Sequence, residues 1–192
     1  MSAVSLIETP PTPELKEFYE RIEGASRGFG VLNVFKVMAH SPELMKAWWG
    51  MMAVALSRLK LAPRLRELAI LRLFQVKPAE YGFAHHVRIG RDLGITDEDI
   101  AALATHAENG HFSELDALVL RYTDAVTTLA DDSPAIAAEL RAHLSEQELV
   151  ELTFCIANWN LMAHLLAPLE IELEPGVREF LPEGWDGKGT AS

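Results

Sequence analysis

Apolar residues recur three and four positions apart along most of the chain, in stretches separated by Pro and Gly, and nowhere alternate long enough to suggest a strand. This pattern predicts an all-α fold of about seven to eight helices. Thr12-Pro13-Glu14 combines an N-cap residue, a first-turn proline and an acid, and Leu15, Phe18, Tyr19 and Ile22 then mark one face as far as Gly24. After a Gly-rich connector, Ser26 to Gly30, the start signal returns as Ser41-Pro42-Glu43 for a helix reaching about Leu59. Pro63 opens another helix, which Pro78 ends, and a helix from about Glu80 to Leu93 stops at Gly94. Thr96-x-x-Asp99 reads as a capping box for a short helix through Leu103, so these two should form a helical hairpin. Ser113-x-x-Asp116, Ser133-Pro134 and the capping box Ser145-x-x-Glu148 start three more. The last of them, reaching Leu166, is apolar nearly all round, which predicts a buried or subunit-contacting helix.

Composition narrows the class. With 192 residues, 49% of them hydrophobic, the chain suits one domain with a proper core, placed at 30–170 and followed by a polar tail at 176–192, frayed from Gly187 to Ser192. A net charge of −11 opposes binding to nucleic acid or an anionic membrane surface. Charged residues interrupt every candidate membrane span, and the N-terminal residues lack the basic start and apolar run of a signal peptide. The single cysteine, Cys155, cannot form an intramolecular disulfide, and a cytoplasmic location is expected.

Few residues suggest chemistry. Glu67 stands inside an apolar helix, where burial raises a carboxyl pKa toward useful proton transfer unless an arginine holds it ionised. Arg64 and Arg66 are both close in sequence, and Arg64, three residues away, is within helical reach, so a plain ion pair is the competing reading. Glu80 opens the next helix, where an acid also complements the dipole. His85 and His86 follow on that helix; adjacent side chains project about 100° apart, so only one is expected to face a given pocket. No spacing of His, Cys, Asp and Glu suits a metal, and none is expected; Gly28-x-Gly30 lacks the strand a dinucleotide loop needs. Trp49, Met52, Tyr81 and Phe83 could line a substrate pocket, although such residues are more often core. Cys155 sits in an apolar run, where a thiol is usually inert.

The stretch from Arg64 to Ile100, with Arg-Glu-Leu-Ala-Ile-Leu-Arg, Glu-Tyr-Gly-Phe-Ala-His-His and Gly-Ile-Thr-Asp-Glu-Asp-Ile, resembles the core of the carboxymuconolactone decarboxylase and alkylhydroperoxidase D-like superfamily. Weaker similarity runs over Gly30 to Leu59 and Asn158 to Leu169. Redox members carry a glutamate, a Cys-x-x-Cys and a histidine at positions that fall here on Glu67, Ala79, Gly82 and His86. Both cysteines are absent, so thiol peroxidase chemistry at those places is excluded. The resemblance implies a helical bundle that associates as a homo-oligomer, trimer or hexamer. It implies a cofactor-independent acid–base enzyme (decarboxylase-type lyase, isomerase or hydratase) on a small carboxylated or lactone-type substrate. His86 would be the leading acid or base, with Glu67 orienting it, and His85 and Glu80 would be secondary. A redox protein using Cys155, or a non-catalytic small-molecule-binding oligomer, are the alternatives.

Overall fold

The computed structural model describes residues 2–26, 28–182 and Trp185. Among them are nine α-helices and two 3₁₀ turns: α1 (Pro13–Ala25), α2 (Asn33–Met38), α3 (Pro42–Ser57), α4 (Pro63–Val76), α5 (Glu80–Asp92), α6 (Asp97–Ala102), a 3₁₀ turn (Leu103–Thr105), α7 (Glu114–Thr128), α8 (Ser133–Leu140), α9 (Glu146–Leu166) and a second 3₁₀ turn (Val177–Phe180). The one α-helix absent from the sequence expectation is α2. It is six residues long, carries Val34 and Val37, and has no side-chain cap, so it offers neither periodicity nor a start signal.

Local chemistry accounts for several boundaries. Thr12 Oγ1 accepts from the Leu15 amide at α1, and Ser113 Oγ from the Asp116 amide at α7. Full reciprocal capping boxes form at Thr96/Asp99 and Ser145/Glu148. The proline at α8 occupies its first turn, but Asp132 rather than Ser133 is the N-cap residue.

The fold is organised round α4, which packs against α5, α7 and α9. Leu68, Ala69, Ile70, Leu71 and Leu73 of α4 are fully buried. A helix enclosed on several sides must present apolar residues all round, and its charged residues need partners. Arg72 accordingly donates to both oxygens of Asp124 on α7, at 2.6 and 3.0 Å. Arg64 does not pair with Glu67 as its spacing allowed: it reaches Asp99 and Asp116, at 3.2 and 2.8 Å, tying α4 to α6 and α7. Helix α9 is apolar and long enough to cross a membrane, with mean hydropathy 1.3. It is packed as a core helix along one side, through Leu152, Cys155, Ile156 and Trp159, while Val150, Phe154 and Leu161 remain exposed on the other.

The segment expected as a polar tail is partly structural. Val177 is fully buried, and Trp185 stacks on Phe83 of α5 with ring centroids 4.1 Å apart. The frayed stretch expected at Gly187 to Ser192 lies outside the described residues.

Candidate active site

Glu67 lies near the middle of α4 and His86 near the middle of α5, and the short connection at Pro78 turns the chain so that the two face one another. His86 Nδ1 is 2.6 Å from Glu67 Oε2. The other carboxylate oxygen accepts from Arg66 Nε at 2.8 Å, and Arg66 also donates through Nη1 to the Ala55 and Leu56 carbonyls at the end of α3. Of the two arginines near Glu67 in sequence, Arg66 is the one that pairs with it, and Arg64 is the one that does not. From α9 the Trp159 indole N–H donates to His86 Nε2 at 2.7 Å. Three helices thus meet in one chain of hydrogen bonds, Arg66 to Glu67 to His86 to Trp159.

This chain has a definite electrostatic sense. Glu67 is 0% exposed, and burial alone would push its carboxyl up; His86 and Arg66 on its two oxygens outweigh that and hold it below the ordinary value. An indole N–H can only donate, so His86 Nε2 must accept, and the ring proton therefore sits on Nδ1, pointing at Glu67.

Beside this pair lies a cavity of about 500 Å³. Phe35, Trp48, Trp49, Met52, Leu56 and Met162 contribute apolar wall, and the polar wall includes Arg66, Tyr81, His85, His86 and Arg88. Glu67 lies behind His86 and does not line the cavity.

Of the residues singled out in the sequence, His85, His86, Tyr81, Trp49 and Met52 line this one cavity. Both histidines do so, contrary to the expectation that only one could. The wall takes in Tyr81, His85 and Ile89 on one edge of α5 and Gly82 and His86 on the next, an arc wide enough for adjacent positions. Glu80 and Phe83 are not brought there. Glu80 forms an ion pair with Arg178 at 2.5 Å, at the outer start of α5. Phe83, two positions and so about 200° round the helix from Tyr81, points into the core against Trp185.

Sequence reasoning did not find the second carboxylate. Glu174, beyond α9, accepts from His85 Nε2 at 2.7 Å, from the Tyr81 hydroxyl at 2.6 Å and from the Asn33 amide at 2.5 Å. Burial pushes the Glu174 carboxyl up, but these donors hold it below the ordinary value. Tyr81 moves the opposite way, well above its own ordinary value, because it is buried and faces that carboxylate. Glu174 carried no local signal, being distant in sequence from all three donors. Trp159 looked like one more apolar residue of α9.

Gly82 explains why a side chain is missing where redox members have their second cysteine. A Cβ there would stand 2.2 Å from the Phe74 ring, which fills the space instead and lies against His86, with ring centroids 5.7 Å apart. The single thiol is elsewhere: Cys155 is 0% exposed, and burial pushes it up to about 12.

A profile described as the carboxymuconolactone decarboxylase family matches residues 42–125, which span α3 to α7 and include Glu67, His85 and His86. Solved structures extend the likeness to almost the whole fold. A peroxidase-related protein from Silicibacter sp. TM1040 matches with TM-score 0.81 at 16% identity, over 94% of this chain and 96% of its own. An alkylhydroperoxidase AhpD core, a peroxidase-related protein from Ralstonia eutropha JMP134, matches with TM-score 0.72 at 17% identity, over 93% and 98%. Residues 42–125 are thus similar to the carboxymuconolactone decarboxylase family, and the fold as a whole is the one seen in the AhpD-like structures. Another neighbour is the debrominase Bmp8, solved in complex with 2,3,4-tribromopyrrole: TM-score 0.77 at 18% identity, over 94% of this chain and 97% of its own. No curated protein matches the chain. This chain carries at its cavity two carboxylate-anchored histidines, with Ala79 and Gly82 where redox members of that family have their cysteine pair.

Proposed function

We propose that this protein is a cofactor-independent acid–base enzyme, a decarboxylase-type lyase, isomerase or hydratase, acting on a small carboxylated or lactone-type molecule. The observation that carries the reading is two imidazoles, each anchored to its own buried carboxylate, on the wall of one mostly apolar cavity. A histidine so held has a fixed orientation, and a positive charge formed on it during proton transfer is countered at hydrogen-bond distance. The apolar walls exclude water and strengthen those interactions. Arg66 and Arg88, which also line the cavity, bring positive charge to it that favours a substrate carboxylate. The indoles of Trp48 and Trp49 suit a planar ring, the kind of body seen in the tribromopyrrole of the debrominase complex. A thiol mechanism has no support here, since Cys155 is sealed in the core.

The test is a panel of lactone carboxylates and 2- and 3-oxo acids in D₂O, followed by NMR for deuterium uptake, ring opening or loss of carboxyl carbon. Turnover that falls about a hundredfold or more in the double variant His85→Gln/His86→Gln is expected, the usual scale of general acid–base catalysis. Ligand-induced thermal stabilisation with no exchange or turnover across the panel would instead favour a binding protein.

A further inference from the structure

Two histidines share the cavity wall, yet their ring nitrogens are not equally available. Both nitrogens of His86 are engaged in short bonds, Nδ1 with Glu67 at 2.6 Å and Nε2 with the Trp159 indole at 2.7 Å. Neither a lone pair nor a proton can be offered to a ligand unless one of those bonds breaks, and each buried partner would then be left unsatisfied, at a cost of about 1–3 kcal/mol or more for a charged group. His85 is held at one nitrogen only. Its Nε2 meets Glu174, an acceptor already engaged by Tyr81 and Asn33, while Nδ1 has no hydrogen bond among the described residues.

From this asymmetry we infer that His85, through Nδ1, is the group that exchanges a proton with the substrate, with Glu174 as its positioning carboxylate and the Arg66–Glu67–His86–Trp159 chain as a fixed wall. The inference rests on the acid–base reading above and assigns its roles. A three-donor carboxylate is an acceptor only, so His85 Nε2 carries the proton that points at Glu174 and leaves the Nδ1 lone pair open. In the forward step a substrate C–H bond breaks, its proton bonds to Nδ1, and the electron pair remains on the substrate as an enolate conjugated with its carbonyl. Glu174 counters the imidazolium at 2.7 Å. When the enolate collapses, Nδ1 returns the proton and the neutral ring is restored, so no oxidant or reductant takes part. Trp159 acts through His86: its N–H keeps that ring in the Nδ1–H tautomer and keeps Nε2 from competing for the proton.

Diethyl pyrocarbonate, which acylates an imidazole nitrogen bearing a free lone pair, is the probe, with fragmentation mass spectrometry separating His85 from His86. The folded wild-type protein should acylate at His85 at least tenfold faster than at His86. Trp159→Phe, which removes the indole N–H while keeping an aromatic ring, should bring His86 to within a fewfold of His85. Faster labelling of His86 in the wild-type protein, or no labelling of either, would overturn the assignment, as would a His86 indifferent to Trp159→Phe. With a substrate from the panel, His85→Gln and Glu174→Gln should each lower kcat far more than they change KM. If His86→Gln abolishes turnover while His85→Gln does not, the acid–base reading survives and this assignment fails. If neither lowers turnover, both fail.

Discussion

Gly82→Ala is a small change that the structure predicts to be harmful. The new Cβ would stand 2.2, 2.4 and 2.6 Å from three carbons of the Phe74 ring. Carbon atoms in good contact sit about 3.5–4.0 Å apart, so the ring would have to retreat by about 1.3 Å. It has little room, being 1% exposed and packed beside His86. Overpacking of a filled core costs about 1–3 kcal/mol, and an overlap with three ring atoms belongs at the upper end. Gly82 is the third residue of α5, so replacing it by alanine returns at most about 1 kcal/mol in helix propensity, the figure for a helix interior. The net expectation is a loss of about 2 kcal/mol, which for a protein of this size lowers Tm by about 4–8 °C. Urea unfolding should show it as a lower midpoint with an unchanged slope. Phe74→Leu removes all three clashing carbons, so the double variant should be more stable than the sum of the single effects by about 1–3 kcal/mol. Equal or greater stability of Gly82→Ala in the wild-type background, or no coupling to position 74, would refute the argument that Phe74 holds the cysteine-like position empty.

Other expectations follow from the same geometry. Glu67 and Glu174 have folded pKa values below their ordinary ones, so the stability they contribute is fully present above about pH 4.3 and is lost as pH falls through the lower folded values. The urea midpoint should therefore fall on acidification below that point, with a shallower fall in Glu174→Gln; a midpoint constant down to about pH 3 would contradict it. Cys155, pushed up to about 12, should resist a thiol reagent at pH 8 until the protein is unfolded, and dithiol-driven peroxide turnover should be absent. Rapid labelling of the native thiol, or turnover abolished by Cys155→Ser, would count against this. Helices α3 and α9, joined by the Trp48–Asn158 hydrogen bond, leave Leu44, Met51 and Val54 and Val150, Phe154 and Leu161 exposed. A homo-oligomer, trimer or hexamer, covering the α9 stripe should give a multimeric mass in light scattering that Phe154→Glu lowers; a wild-type monomer at micromolar concentration would exclude it.

The start signals legible in the chain are those whose chemistry is local. Thr12, Thr96, Ser113 and Ser145 cap the helices they precede, because a cap depends on groups three residues away. Glu67 was visible as an acid in an apolar helix, and its partner His86 through the family pattern; the two meet at 2.6 Å. Yet which arginine served Glu67 depended on the packing of α3, whose terminal carbonyls hold Arg66 in place. Glu80 and Phe83 could not be sorted from Tyr81 and His85 until the core chose which side of α5 to bury. Glu174 and Trp159 illustrate the general limit. A side chain's sequence neighbours determine its helix and its cap, and those were readable. The nitrogen a histidine presents to a cavity depends on donors and acceptors brought from distant segments, and only the tertiary structure decided that.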